Sequence, residues 1–247
     1  MTSSERRASA SLASVYALRM LSLFLVLPVF VLEAAKYPGG SDAALVGLAM
    51  GITGLTQALL QLPFGMASDR LGRKRVIQFG LLLFGLGSLI CALAPTLNWL
   101  TVGRAIQGAG AISAAVSALL ADLTRDSVRT KAMAITGVSI GLTFAVSLVL
   151  APTLVQWVGL NGLFGIIVVL TLGSMAVVQW WVPAEPVKNI EAQHTGVAAL
   201  KQVLKISALL RLNFGVFVLH AVQIAMWVAL PAMLVTAGLP KAQHWQV

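Results

Sequence analysis

The stretch Gly65-Met-Ala-Ser-Asp69-Arg70-Leu-Gly72-Arg73-Lys74-Arg75 lies between two long apolar runs. Because about 20 apolar residues cross a bilayer core as a helix, the flanking runs are predicted to be membrane spans and this stretch a tight hairpin between them. Its basic residues are expected to hold the hairpin on the cytoplasmic side. The two glycines allow a sharp turn, and Asp69 can cap the next helix or accept a hydrogen bond from a base. The alternative is that these charges only anchor the topology.

The composition is that of an integral membrane protein. Hydrophobic residues make up 58% of the 247 residues and charged residues only 10%, with a mean hydropathy of +0.90. The net charge is +9, and all lysines and arginines except Lys36, Lys241, Arg19 and Arg104 fall in segments predicted to be cytoplasmic. That bias follows the positive-inside rule and argues against a nucleic-acid partner. With a single cysteine, Cys91, no intramolecular disulfide can form, and no metal or cofactor site is indicated.

Two motifs carry a resemblance to a known family. The hairpin resembles the signature loop of the major facilitator superfamily of secondary transporters, Gly-x-x-x-Asp-Arg-x-Gly-Arg-Lys, through Gly65, Asp69, Arg70, Gly72, Arg73 and Lys74. A second superfamily motif, Gly-Arg-x-x-Gln-Gly-x-Gly, is matched by Gly103, Arg104, Gln107, Gly108 and Gly110. The resemblance implies an all-α polytopic membrane helix bundle and solute transport by alternating access.

The function implied by this resemblance is export of small amphipathic compounds in exchange for protons across a bacterial inner membrane. Drug:proton antiporters of the superfamily carry Gly-x-x-x-Gly-Pro-x-x-Gly-Gly in the fifth span, and here only Pro152 clearly matches that motif. The expected partners are a small-molecule substrate, protons and membrane lipids. The rival hypothesis is a membrane scaffold or receptor derived from a transporter fold. An enzyme is not expected, because no span holds a nucleophile with a base or a metal-ligand pair.

Seven spans are predicted, with the N-terminus in the cytoplasm. They cover residues 12–33, 43–65, 75–94, 99–122, 132–156, 160–182 and 213–235. Pro28 is expected to open the first helix, and Pro63 is expected to end the second. The third and sixth spans are nearly all apolar and are predicted to be peripheral, whereas the first, second, fourth and fifth carry polar and small residues. This division indicates a six-helix half built as a 3+3 inverted repeat.

Three regions are predicted along the chain. They are a six-span bundle (1–182), a cytoplasmic linker (183–212) with an amphipathic helix over 197–210, and a seventh span with the start of a second half (213–247). Leu27-Pro28 is echoed by Leu230-Pro231, as expected if a parallel repeat begins at the seventh span. Because alternating access needs a second bundle, the chain is expected to be a fragment that requires a missing C-terminal half or a second copy.

Small residues indicate where helices approach closely. Gly47-x-x-x-Gly51, followed by Gly54, marks the second span, and Gly137-x-x-x-Gly141 marks the fifth. The second-span pattern allows a close approach of another helix.

Polar groups within the spans are the candidate substrate-cavity and coupling residues. They are Arg19, Gln57, Gln61, Arg104, Gln107, Gly108 and His220. Each arginine has the alternative of snorkelling to the headgroups, and His220 has the alternative of a packing role. Three possibilities stay open for the proton site: His220, Glu33 near the outer mouth, or no such site in this chain.

Charged residues at the cytoplasmic side are predicted to form a gate. Asp122 ends its helix, where the helix dipole disfavours a negative charge, so a basic partner is expected in Arg73 or Arg70. A solvated acid is the alternative. Asp69, Arg73 and Asp122 are predicted to form a charge cluster that closes the cytoplasmic side in the outward-open state and breaks as the halves rock.

Overall fold

A computed structural model describes residues 1–185 and 205–238, and every regular element in that part of the chain is an α-helix. The helices are α1 (Ser3–Phe24), α2 (Phe30–Ala34), α3 (Ala43–Leu71), α4 (Arg73–Ala92), α5 (Leu97–Ala109), α6 (Ser113–Asp122), α7 (Asp126–Trp180) and α8 (Ser207–Thr236). Five of these described segments are long and apolar enough to cross a membrane: α3, α4, Leu97–Asp122, α7 and Ser207–Trp227. The predicted all-α membrane bundle is confirmed. Of the predicted amphipathic helix over 197–210, the part up to residue 204 lies outside the described residues.

The first predicted span is interrupted in its second half. α1 begins with a capping box, in which the Glu5 N–H donates to Thr2 Oγ1 and the Thr2 N–H donates to the Glu5 carboxylate. It ends at Phe24, and residues 25–29 form turns around Pro28 before α2 begins. The predicted opening of the helix at Pro28 is confirmed, because proline lacks an N–H and its ring clashes with the preceding turn.

The hairpin between α3 and α4 is a one-residue turn. α3 continues through Pro63 to Leu71, so the prediction that Pro63 ends the second span is wrong. A helix that loses one hydrogen bond at a proline can continue more easily in lipid than it can end, since no water is present to satisfy a free helix terminus. Only Gly72 separates the two helices, and its φ of 98° lies in the region that favours glycine. Gly65 and Asp69 therefore lie in the last turns of α3.

α7 reverses direction at Gly159, which has φ 66° and ψ −176°. Both ends of α7 lie beside the start of α1, because Arg125 contacts Glu5 and Arg7 donates to the carbonyl of Trp180. The helix therefore consists of two antiparallel parts, 126–158 and 160–180. They correspond to the predicted fifth and sixth spans.

The fourth predicted span is broken near its middle. Residues 97–122 form one candidate membrane span, as predicted, but residues 110–112 within it are non-helical and separate α5 from α6. The break frees the Gly110 carbonyl from a helix hydrogen bond, and this oxygen accepts from Arg19 at 2.8 Å. Hydropathy stays high through the break, which is why the apolar pattern did not reveal it.

The closest helix approaches occur at glycines other than those predicted. A Cβ on Gly87 would lie 2.3 Å from the backbone nitrogen of Gln107, and one on Gly108 would lie 2.2 Å from the carbonyl oxygen of Thr53. The predicted packing glycines have open space at the Cβ position: Gly47, Gly51, Gly54, Gly137 and Gly141. The close approach that the second-span pattern allows does not occur within the described part of the chain, because spacing identifies a small face without identifying a partner.

The helices predicted to be peripheral each have a buried face. α4 buries Ile77 and Phe84, and the second part of α7 buries Phe164 and Ile167. Their remaining faces carry exposed apolar side chains, so only half of each helix matches the prediction. α8 is instead exposed along almost its whole described length.

Candidate functional site

At one end of the bundle, the guanidinium of Arg73 lies between two carboxylates. Its Nη2 is 2.6 Å from Asp69 Oδ1, its Nε is 3.2 Å from Asp122 Oδ2, and its Nη1 donates to Ser68 Oγ at 2.8 Å. Asp69 lies in the last turn of α3, Arg73 begins α4 and Asp122 ends α6, so one arginine joins three helix ends. Of the two arginines considered as partners for Asp122, Arg73 makes the contact and Arg70 is exposed. We call Asp69, Arg73 and Asp122 the charge cluster.

Glu185 caps α4 at the same end. The backbone N–H groups of Arg73 and Lys74 donate to its carboxylate at 2.8 and 2.5 Å. These amides have no acceptor within the helix and carry the positive end of its dipole. Lys74 Nζ also donates to the carbonyl of Val182 at 2.9 Å. The segment that follows α7 therefore holds the turn at Gly72 in place.

A second ion pair at this end joins the N-terminus to the start of α7. Arg125 Nε and Nη2 donate to the two oxygens of Glu5 at 2.7 and 3.1 Å. The hydrogen bond from the Arg125 side chain, followed by that from the Thr2 N–H, lowers the pKa of Glu5 to about 2. The same pairing raises the pKa of Arg125. We call the end that holds the charge cluster, Glu185 and the Glu5–Arg125 pair the charged end.

Arg104 lies in the interior, with 3% of its surface exposed. Its Nη1 donates to Gln107 Oε1 at 2.6 Å, and its Nε and Nη2 approach the carbonyl oxygens of Ala49 and Met50, each at 3.4 Å. The guanidinium carbon also lies 5.5 Å from the centre of the Phe30 ring. All of these described partners are uncharged.

Arg19 is buried in a similar way, with 2% of its surface exposed. Besides Gly110, its guanidinium donates to Ser113 Oγ at 3.2 Å and to Gln57 Oε1 at 3.4 Å, and it lies 5.3 Å from the centre of the Phe84 ring. Snorkelling is wrong for both arginines, because each guanidinium is directed into the bundle and is enclosed there. Arg19 donates a hydrogen bond to the Gly110 carbonyl, which lies at the break between α5 and α6.

Gln107 extends the interior network to α4. Its Nε2 donates to Ser88 Oγ at 2.9 Å, and Ser88 in turn donates to the carbonyl of Phe84. Thr53 Oγ1 donates to the carbonyl of Arg104 at 3.0 Å from α3. Because Gly108 has no side chain, α3 and α5 approach closely enough for this contact. The second motif thus lies at the junction of three helices.

Two predicted residues are not part of this network. Gln61 lies one turn beyond Gln57, and its Oε1 is buried without a described hydrogen-bond partner. His220 is exposed on α8, where its Nδ1 lies 2.9 Å from the carbonyl of Val216 in its own helix. α8 contacts α2 and α7 in the described part of the chain. The role of His220 as a cavity residue therefore stays a prediction.

At the end opposite the charged end, a cavity of about 210 Å³ lies between the Pro28 turn and α7. Glu33 lines it, and the Glu33 carboxylate pairs with Lys36 Nζ at 2.5 Å. Beside it, Tyr37 donates to the side chain of Asn161, whose Nδ2 donates to the carbonyl of Ala92 at 2.9 Å. We call this the Glu33 cavity.

Comparison with known proteins agrees with this geometry. The sequence model of the Major Facilitator Superfamily matches residues 12–246. The chain belongs to the Major Facilitator Superfamily. Relatives in this superfamily are membrane transport proteins and not enzymes.

Two relatives align with all or nearly all of this chain. The chain is similar to the Inner membrane transport protein YajR of Escherichia coli, with 47% identity over 248 residues, which cover 100% of this chain and 54% of YajR. An uncharacterized transporter of Buchnera aphidicola (subsp. Acyrthosiphon pisum) is 34% identical over 246 residues, which cover 98% of this chain and 63% of that protein. The chain therefore spans a little over half the length of the curated relatives that it matches.

The fold is that of solved superfamily structures. A bacterial homolog to the human lysosomal transporter Spinster, in an inward-facing and unoccupied conformation, superposes with a TM-score of 0.74 at 15% identity. The match covers 99% of this chain and 58% of that structure. At this identity the likeness establishes the fold alone.

Several residues at the site were not predicted from the superfamily motifs. Glu185 and Glu5 have no motif around them, yet each is an acid that flanks a predicted span on the side of the signature turn. The positive-inside bias of that side could have identified them as partners for its bases. Ser88 and Phe30 carry no such signal, because a serine or phenylalanine within an apolar span is common.

Proposed function

We propose that this chain forms one half of a secondary transporter, together with a further helix, and that the transporter exports small amphipathic compounds in exchange for protons by alternating access. The charge cluster is the observation that carries this proposal. Arg73 is 9% exposed, and its two carboxylate partners lie on different helices, so relative movement of those helices would break the contacts and solvate the charges. A contact of this kind supports two states whose balance can shift.

The chemistry of the interior supports an amphipathic substrate. Arg19 and Arg104 already donate to protein acceptors there, and Gln107 links Arg104 to Ser88. A sugar needs many hydrogen-bonding side chains, whereas these polar groups already bond to one another and to the backbone. An apolar compound with one polar group needs fewer.

The proton site of this proposal is Glu33 and not His220. The Glu33 side chain is 10% exposed and lines a cavity, so a change in its protonation would alter a buried charge. His220 is exposed on α8, where its Nδ1 contacts the carbonyl of Val216 in its own helix, and it lines no described cavity. In this role, Glu33 would exchange a proton for a cationic group of the substrate.

We further propose that the protein lies in the inner membrane with the charged end in the cytoplasm. The positive-inside bias supports this orientation. Cysteine labelling tests it, since Ser127 and Ser41 are exposed at opposite ends and the native Cys91 is buried. Ser127→Cys should react only from the cytoplasm and Ser41→Cys only from outside. The reverse pattern would overturn the orientation.

Transport is tested in inverted vesicles that carry a chimera in which this chain replaces the matching 54% of YajR. An imposed proton gradient should drive uptake of an amphipathic fluorescent dye, and Asp69→Asn should slow it several-fold without lowering the amount of inserted protein. Asp126, whose side chain is 88% exposed, pairs with Arg129, so Asp126→Asn is the matched control and should leave the rate unchanged. Gradient-independent dye distribution would favour the scaffold or receptor alternative.

A further inference from the structure

A groove of about 370 Å³ lies between α3 and α4, next to the one-residue turn that joins them. The described residues that line it are Phe64, Ala67, Leu71, Arg75, Val76 and Phe79. All of them except Arg75 are apolar. Leu71 and Phe79 are 63% and 55% exposed, so the groove opens to the surroundings of the bundle. Because both helices are long and apolar enough to cross a membrane, those surroundings are lipid. We call this the hairpin groove.

The hairpin groove has a charged mouth and an apolar interior. Leu71 and Arg75 lie within one turn of Gly72, at the charged end. Phe64 lies about 10 Å deeper, two turns back along α3. Its ring stacks on that of Phe79, with the centroids 6.1 Å apart, so the two walls meet there. Since basic residues at the end of a span lie at the level of the headgroups, this shape suits a molecule with a polar head and an apolar tail.

Arg75 is the base at this turn for which the described structure shows no acceptor. α4 begins with Arg73, Lys74 and Arg75, and its first turn contains no acidic residue. Arg73 lies between two carboxylates, and Lys74 Nζ donates to the carbonyl of Val182. Arg75 is exposed and makes no hydrogen bond or ion pair within residues 1–185 and 205–238. A cation in the first turn also lies at the positive end of the helix dipole, so an external anion would stabilise it.

From these observations we infer that the hairpin groove is a binding site for an anionic phospholipid. The phosphate pairs with the guanidinium of Arg75, whose planar fork can donate two N–H groups to two phosphate oxygens. One acyl chain lies in the groove against Ala67, Leu71 and Phe79. Basic pockets between membrane helices are suited to lipid headgroups of this charge. A zwitterionic lipid binds more weakly there, because its own ammonium neutralises the phosphate.

Charge and shape together distinguish the lipid from other occupants. A small soluble phosphate would pair with Arg75 but would leave the apolar walls uncovered. An apolar helix from a second half would cover the walls but would leave Arg75 without an anion. The inference goes beyond the proposed function, because lipid binding requires neither transport nor a particular orientation in the membrane.

The test is native mass spectrometry of the 247-residue chain in a neutral detergent, titrated with dioleoylphosphatidylglycerol. Dioleoylphosphatidylcholine, which has the same chains and no net charge, is the reference. The first molecule of the anionic lipid should bind about fivefold more tightly than the reference, as expected for one arginine at a membrane surface. Equal affinities would overturn the inference.

Two arginine variants locate the preference for the anionic lipid. Arg75→Gln should reduce it to less than about twofold, because the charge partner is lost. Arg6→Gln, which removes the same charge from an exposed position at the charged end outside the groove, is the matched control and should leave the preference unchanged. Both side chains are exposed, so neither change disturbs the core. A preference that survives in Arg75→Gln, or falls equally in both variants, would contradict this site.

A change in the groove wall tests the position of the acyl chain. Leu71→Ser should weaken binding of both lipids to a similar extent, because apolar contact is lost while Arg75 remains. Leu59→Ser, at a 67% exposed leucine of α3 that does not line the groove, is the matched control and should change neither affinity. Lipid binding that is unchanged in Leu71→Ser would show that no chain lies in the groove.

Two further measurements separate the lipid from the other occupants. Glycerol 1-phosphate, which has the head without the chains, should fail to displace the bound phosphatidylglycerol. Displacement at comparable concentrations would mean that the site recognises phosphate alone. In the chimera with the second half of YajR, the Arg75-dependent preference should persist. Its loss there would mean that the second half covers the groove, and it would overturn the lipid site.

Discussion

Arg73 at the charged end and Arg104 in the interior are both nearly inaccessible, with 9% and 3% of their surfaces exposed, but their partners differ. Arg73 lies between the carboxylates of Asp69 and Asp122. The described partners of Arg104 are backbone carbonyls, the amide of Gln107 and an aromatic ring. The difference follows from how far each site lies from water. Arg73 lies at one end of the bundle, whereas Arg104 lies in its interior.

Near water, an ion pair can open and both charges can be hydrated, so the pair is reversible. In the interior no solvent is available, so a guanidinium that left its carbonyl and amide acceptors would become a buried cation without partners. The charged end is therefore suited to changes of state, and the Arg104 network is suited to a fixed framework. The following changes test that distinction.

The largest effect is expected for Arg104→Lys. A single ammonium cannot reach Gln107, Ala49 and Met50 at once, so we expect a loss of about 2–3 kcal/mol in the free energy of unfolding in detergent micelles. Arg75→Lys, at an exposed position of α4, is the matched control and should change it by less than about 0.5 kcal/mol. If the two variants are equally stable, Arg104 contributes only its charge.

A smaller loss of stability is expected for Asp122→Asn. Removal of this carboxylate leaves Arg73 with Asp69 as its only charged partner in the cluster, which should cost about 1–2 kcal/mol. The exposed pair of Asp126 and Arg129 offers a matched change, and Asp126→Asn should cost less than about 0.5 kcal/mol. Denaturant titrations of the three proteins measure both values. An equal effect at the two aspartates would mean that the cluster is no more than a surface ion pair.

Glu185→Ala should cost about 1 kcal/mol, as does the loss of other helix caps. The amides of Arg73 and Lys74 lose their acceptor, so their hydrogen exchange should become faster. Asp42→Ala removes the cap of α3 at the opposite end, where the carboxylate accepts from Ala44 and Leu45. It should cost a similar amount without changing exchange at residues 73 and 74. Unchanged exchange at those residues in Glu185→Ala would contradict the capping contact.

The smallest effect concerns pH at the Glu5–Arg125 pair. Because folding lowers the pKa of Glu5 to about 2, the pair stabilises the folded state fully above the unfolded pKa of about 4.3, and this contribution is lost as the pH falls towards 2. Thermal unfolding of Glu5→Gln should therefore depend less on pH between about 5 and 2 than that of the parent chain. Parallel pH profiles for the two proteins would show that the pair adds nothing to stability.

The charge cluster could be predicted from sequence because its members are tied to the topology. Asp69 and Arg73 are four residues apart across the hairpin, and Asp122 follows an even number of spans later on the same side. The break at residues 110–112 could not be predicted, because the donor to the Gly110 carbonyl there, Arg19, lies on another helix. Hydropathy alone contains no information about such a tertiary contact.

The glycines illustrate the same limit. Gly47 and Gly51 have the spacing of a packing motif but face open space, whereas Gly87 lies against the backbone of α5 without such a motif nearby. Spacing determines which residues share a helix face, and the arrangement of the neighbouring helices determines whether that face is covered. The role of His220 stays a prediction for a related reason, since its depth along a predicted span does not determine what surrounds it.

The one-residue turn at Gly72 has a consequence for how the gene can be engineered. An epitope inserted there would move Asp69 away from Arg73 and pull the α4 amides off Glu185, so a tagged protein would lose its closed charged end. The same turn is too short to enter the cleft of a protease, so digestion of the intact bundle would spare it. The exposed residues around Pro38 and Ser41, between α2 and α3, are the place where a foreign peptide can be carried without these losses.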